Sequence, residues 1–507
     1  MDRQLHRLGL PKLFIRRLKL ETQQEPIALM HADCPVAKSE GFAARARVEL
    51  STANGSAVAT LYYVRNDLLS LYEVGLSESV WRRLGAVEGS GIVVRHPQPI
   101  GSMSHVRAKV YGNRLSADQL RSIVNDVVAE RYSDVELAAF VTAFSSQTPQ
   151  VDEMVALTRA MVDAGERISW PNAVIADKHS VGGLPANRTT PIVVAIVAAS
   201  GLVIPKTSSR AITSPSGTAD AMETMTPVDL DTAAMRRVVE SEGGCVVWGG
   251  SVGLSPADDI LIRVERALDL DCTAQLVASV LSKKLAAGST HLLLDIPVGS
   301  TAKVRTLEEA AGLTDYLGQV AAAFDLRVRT MVTDGRQPVG RGIGPALEAR
   351  DVLSVLRGAP EAPADLRAHA VELSGALLEL AVGARPGMGS SIADATLVNG
   401  QALAKFMAIC DAQGGFREPP VAPLRHDIEA PHDGVIATID NRLLGRVAKL
   451  AGAPRSPSAG LSLHVKLGDR VEKGQALVTL NGESPGELGY ALAYAGANPQ
   501  FLGIERA

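Results

Sequence analysis

Residues 173–206 read AVIADKHSVGGLPANRTTPIVVAIVAASGLVIPK. Ala173-Val174-Ile175-Ala176 is a short apolar run suited to a buried strand, and the Gly-rich stretch after it breaks that run. Residues 193–200 form a helix-like apolar segment that Gly201 stops, and 202–204 restart an extended one. Strand, loop, helix and strand within about 35 residues make a βαβ unit, which requires a parallel sheet. In such sheets ligands bind at the carboxyl ends of the strands, where the two polar loops of this stretch fall.

Working outward, the fold expected is α/β. A small helical domain joins a mixed or parallel-sheet α/β domain, with a β-rich N-terminal module and an α+β C-terminal module. Ser116 with Gln119, and Ser133 with Glu136, are capping boxes, each ahead of a helical apolar stripe. Ser255-Pro256-Ala257-Asp258 reads as an N-cap, a first-turn Pro and a first-turn acid, and the helix it opens returns to the helical unit. Residues 44–50 and 57–64 alternate around Asn54-Gly55, as strands do. Past residue 426, segments 435–439 and 461–465 read as strands and 443–450 as a helical insert. The expected division is 1–105, β-rich; 106–172 with 256–287, helical; 173–255 with 288–425, α/β; and 426–507, a structural C-terminal module.

Composition narrows the class. With 507 residues the chain exceeds one core, and 46% hydrophobic against 21% charged residues is too apolar for disorder. A net charge of −4 announces neither a nucleic-acid partner nor a membrane surface, so any anion site is local. Cys34, Cys245, Cys272 and Cys410 form no CxxC pair, which fits a reducing cytoplasm and no structural zinc. The basic, apolar start (Leu10, Phe14 and Leu18 among Arg7, Lys12, Arg16, Arg17 and Lys19) reads as a solvated arm or subunit contact, with a targeting or membrane-surface helix as the alternative.

Three segments carry chemistry. In Asp177-Lys178-His179-Ser180-Val181-Gly182-Gly183 a cation and a hydroxyl precede two glycines that let backbone N–H groups approach an anion. Thr189 and Thr190 then open a helix whose N-terminus favours anions. The second loop, Lys206 to Thr218, is crowded with hydroxyls and carries Arg210, whose fork suits an anion or a base carbonyl. In the third, Ser279 and Lys283 share a helix face downstream of Asp271. The acidic pair Asp258-Asp259 is assigned to helix capping.

These motifs, with KTSSRAITSPSGTADAMET, WGG ahead of PADD, ASVLSKKLAAGS, TDGRQPVGRGIGPALEARDVL and LHVKLGDRVEKGQALV, resemble the thymidine/pyrimidine-nucleoside phosphorylase family over roughly residues 105–507. The closest likeness is to its longer branch, which includes archaeal AMP phosphorylases, and the leader resembles that branch too. The resemblance implies a class II nucleoside phosphorylase fold and a cytoplasmic homodimer or larger homo-oligomer. Its substrates are small molecules, with inorganic phosphate as co-substrate and no metal or other cofactor. Phosphate falls to Lys178, Ser180, Thr190, Ser208 and Thr218, with His179 beside it. Nucleoside or nucleotide falls to Gly183, Ser209, Arg210, Ala211, Ile212, Thr213, Ser214, Thr218, Ser279 and Lys303, and Lys283 faces the base carbonyl. Asp271 is the proton donor by this resemblance, with His179 the competing donor because its ordinary pKa lies near working pH.

The expected reaction is phosphorolysis of thymidine or another pyrimidine nucleoside. ITSPSGT stands where shorter members carry GHTGGT, so their thymidine specificity does not carry over, and a nucleoside 5′-monophosphate is the alternative because Lys303, Arg210 and the hydroxyl-rich loop could bind a second phosphate. An anthranilate-type phosphoribosyltransferase is a second alternative, since it shares the expected fold. The C-terminal segments also resemble half-repeats of biotinyl and lipoyl domains, but the hairpin lysine of an E-A-M-K-M motif is missing, so no carrier attachment is expected.

Overall fold

The computed structural model describes residues 13–22, 25–211, 214–268, 270 and 272–506. Six strands close a barrel in the N-terminal unit: β1 (Leu13–Leu20), β2 (Ile27–His31), β3 (Arg47–Ser51), β4 (Ser56–Val64), β5 (Glu73–Ser77) and β6 (Gly91–Arg95), in the order β1-β5-β2-β4-β3-β6. Inward residues alternate along each strand, so Val48 and Leu50 pack with Ala57, Ala59 and Leu61 in the barrel's core. The Asn54-Gly55 turn joins the antiparallel pair β3 and β4. Residues 13–20 are therefore neither an arm nor a helix. Leu13 and Ile15 alternate inward along β1, and pairing with β5 and β6 satisfies their backbone. The part of that reading on residues 1–12 lies outside the described residues.

Residues 104–128 and 134–507 pack as a second unit. Its helical part contains the helices Ala117–Val128, Asp134–Ser145 and Val151–Asp163, joined by the later Pro256–Leu268 and Thr273–Ala286. Ser116 and Gln119 form the expected capping box, Ser116 N–H donating to Gln119 Oε1 and Gln119 N–H to Ser116 Oγ.

The α/β part is built on parallel strands. In order these are β11 (Arg327–Asp334), β10 (His291–Val298), β7 (Ala176–Ser180), β8 (Ile204–Ser208) and β9 (Gly244–Trp248). A parallel bridge between Ile175 and Val203 links β7 to β8. The helix Thr189–Ala199 crosses from β7 to β8, and Gly201, at φ +86°, turns the chain back after it. Ile192–Val197 are all buried against the helices Ala364–Val382 and Gln401–Gln413.

Both site strands sit further along the chain than the apolar pattern suggests. β7 covers Ala176–Ser180 rather than 173–176, and β8 runs on to Ser208 rather than stopping at Ile204. The reason is that Asp177, Lys178 and Lys206 are buried strand residues, Asp177 and Lys206 stabilised by charged partners and Lys178 by two hydroxyls, none of which an apolar pattern reveals.

In the C-terminal part, β13 (Leu424–Glu429), β15 (Gly460–Leu463) and β17 (Ala476–Gly482) form one sheet, to which the α/β part adds β12 (Gly342–Ile343). The division at residue 425 thus cuts across a shared sheet: GRGIG supplies its edge strand. The helix Asn441–Leu450 buries Leu444, Val447 and Ala448 in this core.

Candidate active site

β7 alternates its side chains between two faces, and the site is organised by that alternation. On one face Asp177 is fully buried. Its carboxylate meets Lys284 Nζ at 3.0 Å and Lys206 Nζ at 3.6 Å, and accepts from Ser289 Oγ at 3.2 Å. Burial opposes its charge, but the two lysines hold its pKa below the usual carboxylate range. His179 follows on the same face. Burial, and then Lys284, Lys206, Lys283 and Lys178, push its pKa well below the ordinary histidine value, so its imidazole is neutral.

On the other face Lys178 Nζ donates to Ser180 Oγ (2.7 Å) and Thr189 Oγ1 (2.8 Å). Burial lowers its pKa to about 8. Ser180 Oγ donates in turn to Asp295 Oδ2 at 2.5 Å. Asp295 also accepts from Thr333 Oγ1 (2.6 Å) and lies 3.4 Å from both Asn187 Nδ2 and His369 Nε2. Burial works against its ionised form, but the bond from His369 and the charge of Lys178 hold the carboxyl well below its usual pKa. Asp295 was missing from the sequence reading, although its signal is plain: a lone acid within the apolar strand HLLLDIPV.

These strand ends open into one cavity of about 600 Å³, a size ordinary for small-molecule sites. Lys178, Ser180, Thr190, Ser208 and Thr218, the expected phosphate residues, all line it, as does His179. Thr189 does not, its hydroxyl being held by Lys178, so the adjacent Thr190 is the one presented. Ser208 Oγ is buried and has no hydrogen-bond partner among the described residues. Gly183, Ser209, Arg210, Ser214, Ser279, Lys283 and Lys303 line the cavity too, with Ser279 and Lys283 on the helix Thr273–Ala286. Ala211 does not line it; its N–H donates to Asp220 Oδ2, which folds the loop back onto the helix starting at Thr218. Ile212, Thr213 and Asp271 lie outside the described residues.

Three expectations need correction. Arg210 is not available as an anion clamp: its guanidinium pairs with Glu223, Asp229 (3.3 Å) and Asp220 (3.6 Å) and stacks on Trp248. Asp258 stands in the first turn of its helix as expected, but favouring that helix end is not its whole role. It is fully buried and ion-pairs with Lys283, so that although burial opposes the charge, Asp258 raises the lysine's pKa. The C-terminal part is not merely structural, because its helix Asn441–Leu450 supplies cavity wall.

Arg188, also unanticipated, braces the second loop. It donates to Thr218 Oγ1 (2.6 Å), the Ser216 carbonyl (3.0 Å) and Glu348 (2.7 Å). Burial pushes the Glu348 pKa up to about 7 despite that partner. Gly183 sits at φ +83°, and a Cβ there would lie 2.8 Å from Cβ of Lys303 and collide with its backbone nitrogen. Gly183→Ala is therefore expected to separate the two loops and lower kcat/KM by about 10²-fold, with the far-UV circular dichroism of the folded chain retained.

Residues 104–165 match the glycosyl transferase family helical bundle domain, 172–403 the a/b domain of that family, and 435–498 the pyrimidine nucleoside phosphorylase C-terminal domain. A Polaromonas sp. protein named "Putative thymidine phosphorylase" is 58% identical over 97% of this chain and 96% of its own length. One from Acidovorax sp., "Putative thymidine phosphorylase 2", is 56% identical over 99% of each. Among solved structures, anthranilate phosphoribosyltransferase from Saccharomyces cerevisiae superposes with a TM-score of 0.51 at 14% identity, covering 62% of this chain and 98% of that one. The Thermus thermophilus enzyme does so at 0.50 and 19%, covering 61% and 98%. At those identities the likeness carries the fold alone.

A helical bundle beside this α/β domain, with polar loops meeting at one cavity, defines a pentosyltransferase of the glycosyl transferase class. Within it, the chain belongs to the pyrimidine nucleoside phosphorylase family.

Proposed function

We propose that the chain splits the N-glycosidic bond of a pyrimidine nucleoside, thymidine in the first instance, with inorganic phosphate as nucleophile. The products are the free base and (deoxy)ribose 1-phosphate. The observation that carries this reading is the convergence of Lys178, Ser180 and Thr190 with Ser208 and Thr218 on a single cavity. A cation, hydroxyls and the N-terminus of the Thr189–Ala199 helix make a cradle for an oxyanion.

In this mechanism the cradle strips water from phosphate and aims one oxygen at C1′. As the C–N bond breaks, its electron pair leaves with the base, C1′ passes through an oxocarbenium-like state, and a phosphate oxygen bonds to C1′. Lys283, held by Asp258, meets the charge growing on the base carbonyl. The neutral state of His179 supports a hydrogen-bonding role for it beside phosphate and leaves proton donation to Asp271. Asp271→Asn is the direct check on that donor.

The reading is tested by base release from thymidine and uridine with and without phosphate. Turnover is expected to be strictly phosphate-dependent and unchanged by EDTA. Consumption of a sugar diphosphate with a metal requirement, or release without phosphate, would overturn it in favour of a phosphoribosyltransferase or a hydrolase.

A further inference from the structure

Ser180 and Thr218 both bring a hydroxyl to the cavity, but their protons stand differently. Thr218 Oγ1 accepts from Arg188 at 2.6 Å, so its own proton is free to reach an anion. Ser180 Oγ donates its proton at 2.5 Å to Asp295 Oδ2 and accepts from Lys178 Nζ at 2.7 Å. A hydroxyl has one proton and two lone pairs, so what Ser180 has left for the cavity is a lone pair.

That polarity is enforced from behind the site. Asp295 is fully buried on β10. Burial opposes its charge, but the bond from His369 and the charge of Lys178 keep it ionised, so it accepts hydrogen bonds and cannot donate them. Thr333 Oγ1 occupies Oδ1 at 2.6 Å, while Asn187 Nδ2 and His369 Nε2 stand 3.4 Å from Oδ2. The Ser180 bond is the shortest of the set, and turning that proton onto an anion would strip it from a buried carboxylate.

We infer that Asp295, acting through Ser180, makes the cradle selective for a tetrahedral oxyanion that carries a proton. The P–O–H group of hydrogen phosphate donates to Ser180 Oγ; an anion without a proton meets a lone pair there and is disfavoured. Phosphate and arsenate keep at least one proton at neutral pH, whereas sulfate and monofluorophosphate keep none. Asp295 is thus a positioning residue, since it touches Ser180 and not the anion. The inference rests on the phosphorylase reading for what the bound anion does next. The proton stays on the oxygen facing Ser180, and a different, bare oxygen bonds to C1′ as the C–N electron pair leaves with the base.

Asp295→Asn reverses the polarity. Thr333 holds the amide oxygen in place of Oδ1, which turns the new N–H groups towards Ser180 Oγ. Asn187, whose Oδ1 has no partner among the described residues, can turn to accept the second of them. Ser180 then offers its own proton to the cavity. Phosphate, arsenate, sulfate and monofluorophosphate are titrated calorimetrically into wild type and variant, and sulfate is assayed as a competitor of phosphate in base release from thymidine. Wild type is expected to bind the two protonated anions about 10²-fold or more tightly than the other two. Asp295→Asn should narrow that ratio by about tenfold or more, with sulfate gaining. A change of charge or packing alone moves all four anions together, so the ratio is the readout. Ser180→Ala removes the lone pair by another route and should narrow the ratio too, which covers an Asp295→Asn chain that does not fold. Sulfate bound by wild type as tightly as phosphate, or a ratio unchanged in both variants, overturns the selectivity; phosphate-dependent base release would still stand. Selective phosphate binding without base release would keep the selectivity and remove the phosphorylase reading. If wild type neither binds phosphate nor releases base, both fall.

Discussion

Lys178→Ala is expected to lower kcat/KM for phosphorolysis by about 10²–10³-fold, the usual cost of losing one preorganised donor to an oxyanion. Two consequences follow from its surroundings. Burial has lowered its pKa to about 8, so in the free enzyme the ammonium that receives phosphate is lost as pH rises through that value. The alkaline limb of kcat/KM should fall near pH 8 and move to higher pH in Lys178→Arg, whose guanidinium does not titrate there. Stability should respond the other way. A lysine whose folded pKa lies below its unfolded value near 10.4 makes folding less favourable where it is charged, and that cost disappears as pH climbs from about 8 past 10. Lys178→Met, which keeps the stem volume, is then expected to unfold at no lower a temperature than wild type at pH 7. Lost turnover with retained stability identifies a residue held for chemistry; a Met variant that unfolds early, or an Ala variant that keeps its rate, would remove Lys178 from the cradle.

The segments that supply the cradle were legible in the sequence because DKHSVGG and the hydroxyl-rich run to Thr218 crowd cations, hydroxyls and glycines directly after short apolar runs. The βαβ unit was legible from the switch between apolar segments and Gly201. Three things were not. Strand limits failed at β7 and β8 because Asp177 pairs with Lys206 and Lys284, far along the chain, and Lys178 is buried on the Ser180 and Thr189 hydroxyls, whereas pattern reading treats every charge as exposed. The bracing of Thr218 by Arg188 and Glu348 spans 160 positions between the last two, so only the folded chain reveals it. The closed barrel of residues 13–95 likewise needs β1 to pair with both β5 and β6, and alternation within a strand says nothing of its neighbours.

Asp177→Asn is expected to be the most destabilising conservative change at the site, by about 3–5 kcal/mol, because it strips the counter-charge from two buried lysines. Asparagine keeps the shape and can still accept the Lys178 N–H bond, now made at 2.7 Å to Oδ1, so the loss isolates charge from packing. Burial already drives the pKa of Lys206 well below that of a free lysine, even with the carboxylate present. Without it, one of the pair sheds its proton or the strand end opens to water. The pH sign follows from Asp177 itself. Its folded pKa lies below its unfolded value, so its contribution is present above about pH 4 and is lost as pH falls through the folded pKa. The gap in unfolding free energy between wild type and Asp177→Asn should therefore be full at pH 7 and shrink in acid. Lys206→Met combined with Asp177→Asn should recover part of the loss, since it removes one of the two stranded charges. Equal stability of wild type and Asp177→Asn at neutral pH would mean that water reaches the strand end, and the lysines would then owe their placement to something other than this carboxylate.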